Sequence, residues 1–127
     1  MSNYDNNKPD QTISEVLYEF MSGSDKLTIL SKLVGQLRFA SEEWEGFYDK
    51  SMIRELETEI LSLSTYLPDN YKIQELTQSA KLWSESGAIL TQLYLERCYR
   101  LYEENYIDIQ KIEDKIRWIE SHLNQFR

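Results

Sequence analysis

The sequence has very few of the residues that build metal centres, disulfides and nucleophilic active sites. Its 127 residues include one cysteine, Cys98, and one histidine, His122. A lone cysteine cannot form an internal disulfide, and a lone histidine cannot supply a multi-histidine metal site. The sequence also lacks a phosphate-binding glycine loop and the Glu-x-x-His pairs of a di-iron bundle. It therefore predicts a protein without a catalytic, cofactor or metal site.

Basic residues and long apolar runs are also scarce. The 14 Lys and Arg residues stand against 22 Asp and Glu, which gives a formal net charge of -8. Such a field repels phosphate, so we expect no direct binding to nucleic acid. The longest uncharged runs, such as residues 86–95, are about half of the roughly 20 residues that a membrane span needs. We expect no membrane association, and a cytoplasmic location in which an unpaired thiol stays reduced.

The residues that are present predict a folded helical protein. Hydrophobic residues make up 41% of the chain and aromatic residues 13%, whereas there are only four glycines and two prolines. The apolar residues recur at helical spacing, and no strand-like alternation competes with that pattern. The sequence therefore predicts one helical domain over residues 12–127, preceded by a flexible N-terminal arm at residues 1–11.

Two helices open the pattern. A first short helix is predicted after a cap at Thr12 or Ser14 and ends before Gly23, which can take the left-handed conformation. Its apolar stripe is Ile13, Val16, Leu17 and Phe20. Ser24 is then expected to cap a second helix over residues 25–40, which also carries one apolar stripe.

A long helical hairpin forms the centre of the predicted fold. The apolar stripe continues from Ser41 to Leu67, which indicates one long helix or a kinked pair with weak points at Gly46 and residues 49–51. A four-residue turn at residues 67–70 then returns the chain antiparallel to this helix. The predicted fold class is all-α, an elongated antiparallel helical bundle of four to five helices with this long central helical hairpin.

The returning arm is amphipathic from residue 71 onward. Gly87 stands where its stripe expects an apolar side chain, which indicates either a close helix crossing or a hinge. Asn105 and Asp108 can form a capping pair, so the last helix either begins near residue 106 or simply runs on. Its apolar seam is Ile109, Ile112, Ile116, Ile119, Leu123 and Phe126.

The reactive side chains of the sequence are expected to be inert. Cys98 falls on the apolar column of its helix, which predicts a buried thiol. The acid pairs Glu42 with Glu45 and Glu55 with Glu59 sit among charged neighbours, which is typical of solvated helix faces. None of these groups shows the pattern of a pocket with shifted pKa values.

Arg117 and His122 keep a catalytic alternative open. Their Arg-x4-His spacing resembles the active-site element of HEPN-type ribonucleases, small all-helical domains that pair their active sites across a dimer. The resemblance covers six residues and implies catalytic roles for Arg117 and His122. That family usually has a polar residue after the arginine, where this sequence has Trp118. On a continuous helix the two side chains also diverge by about 140°.

A second alternative is mimicry of nucleic acid by an acidic surface. Residues 41–59 hold seven acidic residues against Lys50 and Arg54. The acidic residues are Glu42, Glu43, Glu45, Asp49, Glu55, Glu57 and Glu59. Acidic and basic residues also interleave in this way on ordinary soluble helices, and the same segment would suit a basic protein partner.

Protein–protein interaction without catalysis is the leading hypothesis, in the role of an adaptor, regulator, inhibitor or assembly factor. A helix of some 30 residues is about 45 Å long, so a long hairpin leaves apolar surface for a partner, and a homodimer is the expected solution. The candidate partner-binding residues are Trp44, Tyr48, Tyr99, Tyr102, Tyr106 and Trp118. Trp118 lies off the apolar seam, where a two-stranded coiled coil would leave it wet, so something should cover it. The alternative for each of these aromatic residues is a place in the bundle core.

Overall fold

The structure is a computed structural model that describes residues 13–42 and 49–125, without the side chains of residues 124 and 125. Within these ranges there are six α-helices and no β-strand. The helices are α1 (Ile13–Phe20), α2 (Gly23–Ala40), α3 (Lys50–Ser64), α4 (Ile73–Lys81), α5 (Glu85–Tyr102) and α6 (Tyr106–Gln125). The predicted all-α bundle is confirmed, but the helix count is six rather than four to five. The N-terminal arm predicted at residues 1–11 lies outside the described residues.

The junction between α1 and α2 differs from the prediction. Ser22 is the N-cap of α2, and its hydroxyl accepts a hydrogen bond from the backbone N–H of Asp25 at 3.0 Å. Gly23 is the first residue of α2 and does not take the left-handed conformation, so the cap predicted at Ser24 is wrong by two residues. A glycine suits this position because a Cβ atom at Gly23 would lie 2.5 Å from the Tyr102 ring.

The predicted first half of the long hairpin is two helices. Ser41 is the C-cap of α2, and its hydroxyl donates to the carbonyl of Leu37 at 2.8 Å. Asp49 is the N-cap of α3, and its side chain accepts from the N–H of Met52 at 3.1 Å. The weak point predicted at residues 49–51 is therefore the start of a helix, whereas Gly46 lies outside the described residues.

The connection after α3 is longer than the predicted four-residue turn. The helix ends at Ser64, and a short 3-10 helix over Asp69–Tyr71 follows Pro68. Lys72 then takes a left-handed backbone conformation with φ 55° and begins α4. The proline and asparagine that marked a turn in the sequence therefore lie within a compact connection of several residues.

The second long arm is broken twice. Ser84 caps α5 by accepting from the N–H of Gly87 at 3.0 Å. A Cβ atom at Gly87 would lie 1.8 Å from the carbonyl oxygen of Leu82, so the glycine permits a close approach, but to the turn before α5 and not to a crossing helix. The predicted capping pair at α6 is confirmed, because the Asn105 side chain accepts from the N–H of Asp108 at 3.3 Å.

Consecutive helices form three antiparallel hairpins. In the α2–α3 hairpin, Lys26 donates to the carbonyl of Tyr66 at one end, and the N–H of Asp49 donates to the carbonyl of Ala40 at the other. In the α4–α5 hairpin, the thiol of Cys98 reaches the carbonyl of Tyr71. The α5–α6 hairpin is tied by ion pairs and hydrogen bonds along its length. Antiparallel packing is therefore confirmed.

One apolar core joins the hairpins. Its most deeply buried side chains are Leu27, Leu30, Val34, Leu37, Ile60, Leu63, Leu76 and Cys98. Most of the predicted seam of α6 faces this core, since Ile112 and Ile116 belong to it and the partly buried Ile119 and Leu123 pack against it. Ile109 is buried as well. Phe126 lies outside the described residues. None of the helices in the described ranges is both long enough and apolar enough to cross a bilayer.

Candidate protein-interaction surfaces

The thiol of Cys98 is a structural group. It is fully buried and donates to the carbonyl of Tyr71, with 3.4 Å between sulfur and oxygen. Burial raises the pKa of the Cys98 thiol to about 12. A reactive cysteine needs access and a depressed pKa, so the predicted inert thiol is confirmed.

Two buried tyrosines connect pairs of helices by hydrogen bonds to carboxylates. Tyr18 of α1 donates to Glu59 of α3, and Tyr94 of α5 donates to Glu120 of α6 at 2.9 Å. Burial, together with these carboxylates, raises the pKa of both phenols. Glu59 is therefore not the solvated side chain that the sequence indicated.

Glu42, a second acid predicted on a solvated face, is buried. Its predicted pair partner Glu45 lies outside the described residues, whereas Glu55 is exposed as expected. The acidic surface is thus less continuous than the sequence suggested.

Arg97 is a buried cation at the centre of the second half of the bundle. Its side chain is 6% exposed, and it forms a two-point contact with Glu113 of α6 at 2.9 and 3.0 Å. It also donates to the carbonyl of Asn70 at 2.6 Å. Arg97 therefore joins α5, α6 and the connection before α4, and each of these bonds is structural.

The structure gives Arg117 and His122 separate contacts. Arg117 is exposed and pairs with Asp114, one turn earlier on α6. The ring of His122 stacks on Trp118 with 3.8 Å between centroids, and its Nδ1 donates to the carbonyl of Trp118 at 2.8 Å. Among the described residues, no three His, Cys, Asp or Glu side chains lie close enough to hold a metal ion.

The aromatic residues predicted to bind a partner fall into different environments. Tyr99 is half-buried, with its hydroxyl 3.2 Å from that of Ser31. Tyr102 and Tyr106 are exposed on either side of the α5–α6 turn. Trp118 is 62% exposed and lies about 18 Å further along α6 from Tyr106. Trp44 and Tyr48 lie outside the described residues.

Trp118 belongs to an apolar groove between the start of α5 and the end of α6. This Trp118 groove has a volume of about 500 Å³. It is lined by Leu82, Ser84, Ser86, Ile89, Trp118, Ile119, His122 and Leu123. Ile89 is exposed together with Trp118, so the groove presents two large apolar side chains to solvent.

The most exposed apolar side chains of the protein include those of α1. Ile13, Val16, Leu17 and Phe20 are 81%, 42%, 59% and 81% exposed, and we call them the α1 ridge. The stripe that the sequence marks on α1 therefore faces solvent, and the helix attaches to the bundle through Tyr18. Sequence reasoning missed this surface, because a periodic stripe does not say whether its own chain covers it.

A further apolar groove runs between α2 and α3. This α2–α3 groove has a volume of about 730 Å³ and is lined mainly by apolar surface from Leu33, Gly35, Phe39, Met52 and Leu56, with Lys32, Gln36, Glu55 and Glu59 at its edges. Gly35 lies inside α2, and no atom in the described part of the chain comes within 4 Å of a Cβ placed there. Nothing in the described fold therefore explains the glycine, which weakens a helix relative to alanine.

No protein-family model, no curated protein and no solved structure matches this chain. The function therefore has to be inferred from the arrangement of the chain's own residues. Inside the bundle the polar groups hold helices together, and on its surface the α1 ridge, the α2–α3 groove and the Trp118 groove offer apolar contact area.

Proposed function

We propose that this protein works by binding other proteins and does not catalyse a reaction. Its role would be that of an adaptor, a regulator, an inhibitor or an assembly factor, each of which needs a rigid surface and no reactive group. The observation that carries the proposal is the exposed indole of Trp118, which stands beside Ile89 at an apolar groove.

Trp118 is expected to be the energetic centre of the contact. Tryptophan is among the side chains that contribute most to protein–protein affinity, especially beside an apolar pocket. Its exposed surface is available for burial by a partner, and the stack with His122 holds the indole in one orientation. An aromatic side chain that is ordered before binding loses little rotational freedom when the partner arrives.

The partner is expected to offer an apolar anchor with basic residues around it. The groove itself is lined by apolar, serine and histidine side chains, whereas the whole chain carries a formal charge of -8. A basic rim on the partner would be attracted over a distance, and the apolar anchor would supply the contact energy. Self-association as a homodimer is the second part of the proposal, and we propose the cytoplasm as the compartment.

Site-specific photocrosslinking tests the proposal. A photoreactive phenylalanine analogue at Ile89 is expected to capture a discrete protein in the native host, identified by mass spectrometry. The same analogue at the exposed Thr58 on α3 is the matched control. Trp118→Ala should reduce the Ile89 product at least about tenfold, since hot-spot tryptophans contribute that much or more. Gln110→Ala, at another exposed position of α6, should not.

Two results would contradict the proposal. One is equal capture at Ile89 and Thr58, or capture that Trp118→Ala leaves unchanged. The other is RNA cleavage by the purified protein that His122→Ala abolishes, which would favour the ribonuclease alternative. Displacement of nucleic acid from a captured partner, lost on reversal of Glu55 and Glu57, would instead identify a nucleic-acid mimic.

A further inference from the structure

The α1 ridge is held in a fixed position with its apolar side outward. Tyr18, on the opposite side of α1, donates to Glu59 and packs edge-on against the ring of Tyr66, with 6.2 Å between centroids. Only Met21 and Ser22 separate α1 from α2. The ridge therefore does not turn back onto its own bundle while Tyr18 stays bound.

The α2–α3 groove begins where α1 is attached. Glu59 both accepts the hydrogen bond from Tyr18 and lines one end of the groove. The ridge and the groove are thus close to each other on the surface of the molecule. A face that carries both a projecting element and a recess can bind a second copy of itself reciprocally through a two-fold axis.

The ridge and the α2 wall of the groove span the same number of helical residues. The ridge places its side chains at positions i, i+3, i+4 and i+7, which is the pattern of a helix that binds in an apolar groove. From Ile13 to Phe20 the helix rises by about 10.5 Å, and so does the groove wall from Lys32 to Phe39, because both pairs are seven residues apart. Gly35 lies in the middle of that wall, where the absence of a side chain leaves room for a bulky one.

The charges beside the ridge and the groove favour one orientation of α1, with its acidic flank along the α2 edge. Both acidic residues of α1, Glu15 and Glu19, lie on the same flank of the ridge by helical geometry. The opposite flank carries the uncharged Ser14, while Tyr18 faces its own bundle. The α2 edge of the groove carries Lys32, which forms no ion pair within residues 13–42 and 49–125, and the α3 edge carries both Glu55 and Glu59. One orientation therefore places Glu19 next to Lys32 and the uncharged flank next to Glu55.

We propose that the α1 ridge of one molecule packs into the α2–α3 groove of a second molecule, and that the contact is made twice in a two-fold symmetric homodimer. Each contact buries Leu17 and Phe20 against Met52 and Leu56 over Gly35. The interface specifies the homodimer part of the proposed function and is separate from the Trp118 groove. The second copy is the occupant that these residues favour, because ridge, groove and matching charges are all on one chain.

Sedimentation velocity on the full chain tests the interface over a micromolar concentration series. Leu17→Glu removes the centre of the ridge, and Gly35→Leu places a bulky side chain in the groove at a position where a Cβ atom has open space in the described fold. Each is expected to weaken self-association by about thirtyfold or more, as for a hot-spot residue. The matched controls, Leu61→Glu on α3 and Gln110→Leu on α6, change exposed residues elsewhere and should leave the dimer intact. Far-UV circular dichroism checks that every variant is folded.

Two combinations distinguish this interface from any other. An equimolar mixture of the Leu17→Glu and Gly35→Leu chains retains one intact ridge and one intact groove, so the mixture should associate more strongly than either variant alone. Glu19→Lys and Lys32→Glu should each weaken the dimer, whereas the double variant should recover it.

A monomeric wild-type chain would overturn the inference, as would a dimer that neither Leu17→Glu nor Gly35→Leu weakens, or a mixture that shows no recovery. Mass that keeps rising with concentration would replace the closed dimer by open head-to-tail growth and would also overturn it. Capture of a partner at Ile89 is measured separately, so loss of the dimer and loss of the proposed binding function give different results.

Discussion

The ion pair of buried Arg97 with partly exposed Glu113 allows a quantitative prediction of how far the loss of one partner destabilises the fold. The Arg97 side chain is 6% exposed and that of Glu113 is 27% exposed. If Glu113 is replaced by leucine, the guanidinium keeps only its bond to the carbonyl of Asn70. Leaving a charge buried without its counter-charge lowers the free energy of unfolding strongly, whereas replacing the whole pair by apolar groups changes it little.

The size of the effect follows from this exposure. Breaking a fully buried ion pair costs about 3–5 kcal/mol, and the partial exposure of Glu113 lowers the expected cost of Glu113→Leu to about 2–3 kcal/mol. The double variant Arg97→Met with Glu113→Leu leaves no buried charge, and the exposed Asn70 carbonyl can bind water. Its expected cost is about 1 kcal/mol or less. The double variant should therefore be more stable than the single variant.

Urea unfolding followed by circular dichroism measures these free energies, at concentrations where the midpoint does not depend on protein concentration. The control is Asp114→Leu, which breaks the pair of Asp114 with Arg117, whose side chains are 59% and 64% exposed. It should change stability by no more than about 0.5 kcal/mol. The reasoning is refuted if Glu113→Leu costs no more than this control, or if the double variant is less stable than Glu113→Leu alone.

Four further predictions concern single residues. Gly87→Ala should destabilise the protein by about 3 kcal/mol or more in urea unfolding, because its Cβ would collide with the Leu82 carbonyl, whereas Gly35→Ala should stabilise the folded monomer by up to about 1 kcal/mol. The thiol of Cys98 stays protonated in the fold up to a pKa of about 12, while an unfolded thiol ionises near pH 9. Stability should therefore fall with rising pH, by about 1.5 kcal/mol from this group between about pH 8 and 10, and Cys98→Ala should remove that share. Tyr18→Phe should lower the hydrogen-exchange protection of α1 about fivefold, with α6 unchanged, since it removes one hydrogen bond worth about 1 kcal/mol.

Features that depend on local periodicity could be predicted from the sequence. The spacing of Ile109, Ile112 and Ile116 identified the buried seam of α6, and the Asn105–Asp108 pair identified its start. The apolar column around Cys98 identified the buried thiol in the same way. Each of these depends on residues within one or two helical turns, so neighbouring side chains alone determine the result.

The break between α4 and α5 depends instead on a distant residue. No proline stands in the sequence between Lys81 and Glu85, and the apolar pattern continues through it. In the structure, Arg38 of α2 donates to the carbonyls of Ser79, Ala80 and Leu82 at 3.2 to 3.5 Å. The last carbonyls of a helix have no i+4 N–H to bind. Here the backbone N–H groups of Leu82 and Ser84 bind the carbonyls of Ser79 and Leu82, and the cation of Arg38 adds a contact from another helix. Reading the sequence in local windows cannot find this contact, because the two segments are more than 40 residues apart.

The direction of α1 was unpredictable for a related reason. Periodicity locates an apolar stripe but does not identify what covers it, and Tyr18 on the other side supplies the attachment to α3 through Glu59. The sequence suggested that long helices would leave apolar surface exposed. The outward stripe of α1 shows how a bundle of shorter helices also leaves apolar surface exposed. The shorter helices pack into hairpins around one core, which covers the helix seams. The exposed apolar surface therefore lies at the α1 ridge and at the two grooves.

The division between interior and surface connects the fold to the proposed function. The groups with shifted pKa values, such as Tyr94 and Cys98, are buried and hydrogen-bonded to other parts of the fold, so burial within the bundle accounts for their shifts. The α1 ridge and Trp118 contribute little to the core, since most of their surface is in water. Substitution there should change association while leaving the unfolding free energy nearly constant, and substitution at Arg97 or Gly87 should do the opposite. A protein whose stability and association respond to separate sets of residues is suited to act through its surface.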